Sequence, residues 1–158
     1  MAIPLNTDRQ VTGASAGIGR EAVRQLTAAG VSVIAVARRE EELDSLAEET
    51  GCCYRVCDLS SEAEIDKLVA ALAGERIDAL VNNASAYFDT PFGTVTPAQW
   101  DELFAINARA PFLLAQCTAP HLLHRGGAIV NLVDAYAERP RIGISAHAAS
   151  KAALIGAT

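Results

Sequence analysis

Residues 12–19, Thr-Gly-Ala-Ser-Ala-Gly-Ile-Gly, set three glycines between a short extended run and the first stretch of helical period. A glycine-rich turn that leads from strand into helix lets backbone approach an anionic group, and the helix start offers it partial positive charge. Such a turn also serves as a plain strand-to-helix connection. What favours the nucleotide reading is the second strand, which follows at the spacing of a βαβ unit.

The rest of the chain keeps that rhythm. Ile18, Ala22, Val23 and Leu26 recur on one helical face, Gly30 supplies a left-handed helix end, and a strand is expected over Val31–Ala37. A helix over Glu40–Thr50 is closed by Gly51, and Cys52–Val56 reads as the next strand. Ser61 and Glu64 have capping-box spacing ahead of a helix bearing Ile65, Leu68, Val69 and Leu72, with Gly74 after it and a strand over Ile77–Val81. Thr96, Pro97 and Gln99 start a long helix, Gly126 and Gly127 precede a strand over Ala128–Val133, and the tail from about Ser145 is expected to be helical. Strands alternating with helices predict a Rossmann-type α/β fold with a doubly wound parallel sheet. The expected first strand fits least well, since Asp8, Arg9 and Gln10 leave Val11 as its one apolar residue.

Bulk properties narrow the partners. With 158 residues, 51% hydrophobic and 20% charged, the chain suits a single folded domain over residues 1–158. A formal charge of -6 gives no footprint for nucleic acid or an anionic membrane. The longest apolar run, Val31–Ala37, is too short to span a bilayer, and no secretory pattern opens the chain, so a cytoplasmic location is expected. Cys52, Cys53, Cys57 and Cys117 form no zinc pattern; no metal is expected, and reduced thiols packed as small hydrophobes are the simpler reading.

The glycine spacing, joined to Asn82-Asn83-Ala84 after the fourth strand, resembles the short-chain dehydrogenase/reductase family, and the resemblance runs from Val11 to Thr158. It implies that Gly13, Ser15, Ala16, Gly17, Ile18 and Gly19 wrap the phosphates of a dinucleotide. Asp58 and Leu59 would flank its adenine, and Asn83, Ala84 and Ser85 would line it further along. At the end of the second strand Ala37 is followed by Arg38 and Arg39, which suit a 2′-phosphate, so NADPH is expected rather than NADH. Two solvated arginines at the start of a glutamate-rich helix are the alternative reading.

Asn82-Asn83-Ala84-Ser85, Ala110-Pro111-Phe112 and Asn131-Leu132-Val133-Asp134 are further similar to pteridine reductases within that family. That resemblance implies a dihydropterin-like substrate and an aspartate, Asp134, that helps deliver a proton. A small carbonyl compound is the competing substrate, and capping of the following turn is the structural alternative for Asp134. The family places a catalytic tyrosine four residues before a lysine that holds the nicotinamide ribose; here Lys151 keeps that catalytic and cofactor-binding position and His147 stands in the tyrosine position, with packing against helix neighbours as its alternative reading. His147 donates only when protonated, which a neighbouring ammonium disfavours, so slow or absent turnover is expected, and a silent dinucleotide-binding or interaction module is the competing class.

Asn107 matches the family's active-site asparagine. Pro111, four residues on, cannot donate to its carbonyl, which predicts a kink and an exposed Asn107; the free carbonyl suits the relay water that the resemblance implies, and a kink needed only for packing is the alternative. Family members continue past the position of Thr158 through further strands and a substrate-covering segment; a fragment, a gap covered by a partner chain and an incomplete sequence are the open readings, and the family's homodimers or homotetramers are expected here too.

Overall fold

Strand β1 (Asp8–Thr12) forms despite its polar start, with Val11 and Thr12 buried. It pairs in parallel with β2 (Ser32–Ala37) on one side and β4 (Ile77–Asn82) on the other. With β3 (Cys53–Val56) beside β2 and β5 (Ala128–Asn131) beside β4, all five strands run parallel in the order β3-β2-β1-β4-β5. The computed structural model describes residues 8–73, 75–123 and 126–158; Gly74 lies outside the described residues.

Five consecutive residues of β2 are buried, as expected of a parallel strand with helices on both faces. Alternate side chains go to opposite faces. Val33 and Ala35 meet Val23 of α1 (Gly17–Ala28) and Leu43 and Leu46 of α2 (Glu40–Thr50). Ile34 and Val36 meet Ile65, Leu68 and Leu72 of α3 (Glu62–Leu72) and Leu114 of α5 (Ala110–Leu123).

Most expected boundaries hold to a residue or two, and Gly30 and Gly51 take the left-handed conformation foreseen for helix ends. Four expectations need correction. Ile18 is 71% exposed, because it lies in the first turn of α1, ahead of the point where that helix settles on the sheet. The fifth strand ends at Asn131, where its partner β4 ends, so Leu132 and Val133 leave the ladder. Ser61 caps α3 by accepting from Glu64 N–H, but the Glu64 carboxylate accepts from Asp58 N–H at 2.6 Å instead of closing a capping box. Thiol packing is mixed as well: Cys52 and Cys57 are buried and Cys53 is exposed.

The Thr96 capping box is complete and opens α4 (Pro97–Phe104). Ala105–Arg109 then forms a π-helical turn, closed by Ala110 N–H donating to Ala105 O, before α5 begins. Pro111 thus produces a widened turn at Asn107, since its ring and missing N–H defeat the regular ladder. Helix α6 (Ser145–Gly156) ends the described chain.

Candidate active site and cofactor crevice

Strand order reverses between β1 and β4, and at the carboxyl ends of those strands a crevice of about 480 Å³ opens. This is where doubly wound sheets hold ligands. Gly13, Ser15, Ala16, Gly17 and Ile18 form one wall, Arg38, Arg39, Asp58 and Leu59 a second, and Asn83, Ala84 and Ser85 a third. Ile18 is therefore exposed into the crevice. Ala37, Cys57, Ala86, Glu102 and Ile106 complete the lining.

Gly19 lies behind that wall. A Cβ there would stand 2.5 Å from Gly13 O, and one on Gly13, whose φ is +66°, would stand 2.8 Å from Ala84 Cα. The two glycines therefore let the turn and the β4 end close on each other. Thr12 and Asn83 fasten that contact: Asn83 Nδ2 donates to Thr12 O at 2.9 Å, and Thr12 Oγ1 accepts from the N–H groups of Asn83 and Ala84 at 3.0 and 3.1 Å. Thr12 was missed in the sequence because its backbone neighbours are 71 residues away.

At the other end, Arg39 Nη2 donates to Ser15 Oγ at 3.1 Å, joining the second strand's exit to the glycine turn. A guanidinium and a hydroxyl so placed suit a phosphate. Asp58 is held below the usual carboxylate range by the Ser60 N–H, against burial, with help from the Ser60 hydroxyl and Arg38.

Of the four candidate catalytic residues, Asn107 and His147 bond to the Ala86 backbone, Asp134 meets His147, and Lys151 stands one helical turn after His147 on α6. Asn107 is 0% exposed, contrary to the exposure expected of it, because its amide is the brace of this corner. Oδ1 accepts from Ala86 N–H at 2.8 Å and Ser85 Oγ at 3.1 Å, while Nδ2 donates to Ala86 O and Ser150 Oγ, each at 3.0 Å. Ser150, which also donates to His147 O at 2.8 Å, is a second residue missed in the sequence.

His147 is 2% exposed. Its Nε2 lies 2.7 Å from Asp134 Oδ2 and its Nδ1 3.2 Å from Ala86 O. Facing two acceptors, the ring donates to both only when both nitrogens carry hydrogen. Asp134 Oδ2 and Ala86 O are the two acceptors that the ring faces. Burial pushes the Asp134 carboxyl up, but His147 and the Tyr136 N–H, which donates to Oδ1 at 2.8 Å, together hold it below the usual range. Asp134 thereby both caps the next turn and meets His147.

Lys151 Nζ donates to Leu132 O at 2.9 Å, and burial lowers its pKa against the pull of Asp134. It does not line the crevice. Tyr87 stands edge-on to His147 with centroids 4.8 Å apart, and its hydroxyl accepts from Arg141 Nη2 at 2.8 Å. Among the described residues no group of His, Cys, Asp and Glu is placed to hold a metal, and no helix is long and apolar enough to cross a membrane.

Known proteins share this fold. The family model for short chain dehydrogenase matches residues 10–158. L-xylulose reductase of Bos taurus is 38% identical over 147 residues, covering 91% of this chain and 59% of the relative. Gluconate 5-dehydrogenase of Gluconobacter oxydans is 34% identical, with the same shares covered. A metagenomic short-chain oxidoreductase solved in complex with NADP superposes with a TM-score of 0.88 at 35% identity, over 96% of this chain and 72% of that one. The chain spans about 59% of the length of those curated relatives.

Proposed function

Because the chain belongs to the short chain dehydrogenase family, we propose that it is built to bind NADPH in the crevice and to serve reduction of a small carbonyl substrate. The observation that carries this reading is the Arg39–Ser15 contact at the mouth of a glycine cradle whose walls close only without Cβ atoms. Gly13 to Gly19 with the start of α1 would hold the pyrophosphate, Arg38 and Arg39 the 2′-phosphate, Asp58 and Leu59 the adenine, and Asn83 to Ser85 the farther end. NADPH, when bound, supplies hydride. Asn107 fixes the Ala86 backbone, and the His147 ring stands between Ala86 O and Asp134.

Two substrate classes suit Asp134, a pterin-like ring and a small ketone. Relatives named L-xylulose reductase and gluconate 5-dehydrogenase support the ketone. Half-exposed Phe112 on α5 and exposed Ile155 on α6 support a homo-oligomer, testable by light scattering, and a cytoplasmic location completes the reading.

A second reading, a silent dinucleotide-binding module, is favoured by one observation: both His147 nitrogens and the Lys151 ammonium are already engaged by protein acceptors. Fluorescence titration with NADPH, followed by its oxidation with L-xylulose, dihydrobiopterin and a ketone panel, separates the two. Binding with turnover supports the reductase, binding alone supports the silent module, and preference for NADH contradicts the role given to Arg39. His147→Tyr is expected to raise turnover. An unchanged rate in His147→Ala rules out His147 as the acid.

A further inference from the structure

The core contains a glutamine that nothing in the cofactor site explains. Gln10 stands mid-strand in β1 with Ile34 of β2 and Leu80 of β4 as register neighbours, on the sheet face covered by α3 and α5. It is 0% exposed, and neither Oε1 nor Nε2 has a hydrogen-bond partner among the described residues. Buried amides are almost always paired, since an unpaired one forfeits hydration with no return. This amide therefore calls for a partner from outside the described residues.

A cleft of about 190 Å³ has Gln10 in its lining, walled by Val69, Leu72, Ile77 and Leu114 and flanked by Cys117 and His121 of α5. It shares no lining residue with the cofactor crevice. Apolar walls with a few polar groups, of which the Gln10 amide has no partner among the described residues, describe a small-molecule site. The volume exceeds the roughly 150 Å³ of an engineered apolar cavity that takes up benzene. Thr118, also in the lining, is not the recognising group, because its hydroxyl donates to Leu114 O at 2.8 Å.

We propose that this cleft binds a small neutral molecule that joins an apolar body to an adjacent donor and acceptor, such as a lactam, a primary amide or a protonated carboxylic acid. Gln10 Nε2 donates to the ligand's carbonyl, and Gln10 Oε1 accepts from its N–H or O–H. A carboxylate is the poorer fit, since it leaves Oε1 unpaired.

The test is an NMR titration of the ¹⁵N-labelled full chain with 2-pyrrolidone, using N-methylpyrrolidone, which lacks the donor, as control. A saturable shift of the Gln10 side-chain amide, a Kd at least tenfold weaker for Gln10→Leu, and unchanged NADPH binding are expected. Gln10→Leu removes the unpaired amide and should fold at least as well. Cys117→Phe, which obstructs the cleft and keeps Gln10, should abolish the shift. No saturable shift, meaning that water alone serves the amide, overturns the proposal. So do equal affinity for N-methylpyrrolidone, an unweakened Gln10→Leu, or a shift that survives Cys117→Phe.

Discussion

Gly19→Ala sets two physical effects against each other, and the structure decides the sign. Gly19 lies in the first turns of α1, where alanine is intrinsically better than glycine by up to about 1 kcal/mol. Against that gain, the new Cβ would stand 2.5 Å from Gly13 O and 2.9 Å from Gly13 C, and nearer still to Asn83 Nδ2. Overpacking of that kind costs about 1–3 kcal/mol. Moving the Asn83 amide also loosens its bonds of 2.9 and 3.3 Å to Thr12 O and Gly13 O, each worth about 1 kcal/mol. The balance is a loss of about 2 kcal/mol, a drop in Tm of about 4–8 °C for a chain this size. Gly156→Ala, on α6 with no heavy atom within 4 Å of its added methyl, should instead gain a little. Thermal and urea unfolding of both variants, with NADPH titration of Gly19→Ala, measure this. A Gly19→Ala protein stabilised as much as Gly156→Ala, with unaltered NADPH affinity, would refute the close-approach account of the cradle.

Arg39→Ala should weaken NADPH roughly 10- to 100-fold, the worth of a charge-assisted bond of about 1.5–3 kcal/mol, and leave NADH nearly unchanged; paired fluorescence titrations check it. Asp134 has a folded pKa below its unfolded value, so its contribution to stability is present above the unfolded pKa near 3.8 and fades as pH falls through the folded one. Asp134→Asn should therefore be less stable than the parent at pH 6, with the gap closing below about pH 4 in chemical denaturation. Cys57, pushed up to about 11 by burial with Glu64 and Asp58 adding to it, should resist iodoacetamide at pH 8 while exposed Cys53 is alkylated, read by peptide mass spectrometry.

Much of this was legible in the residues. Helix limits were marked by local chemistry, as at Gly51, whose left-handed turn ends α2, and at Thr96 with Gln99, whose capping box depends on four neighbouring residues. The strand-turn-helix position of Gly13 to Gly19 was likewise readable, since it rests on sequence-local backbone geometry, and so was the place of the arginines after β2, though not the Arg39–Ser15 contact. His147 in the tyrosine position was visible by spacing from Lys151.

Tertiary structure alone decided what those residues do. Asn107 was expected in the open and is a sealed brace, because Ala86 and Ser150 reach it from segments 21 and 43 residues away. Asp134 was read either as a cap or as a partner in proton delivery; the fold gives it the cap and the contact with His147 across 13 residues. Gln10 looked merely like a polar start to a weak strand, and only the packing of α3 and α5 buries it. Sequence thus determined the elements, whose causes span a few residues, while the sheet determined burial, partners and charge, whose causes meet only when distant segments close on one another.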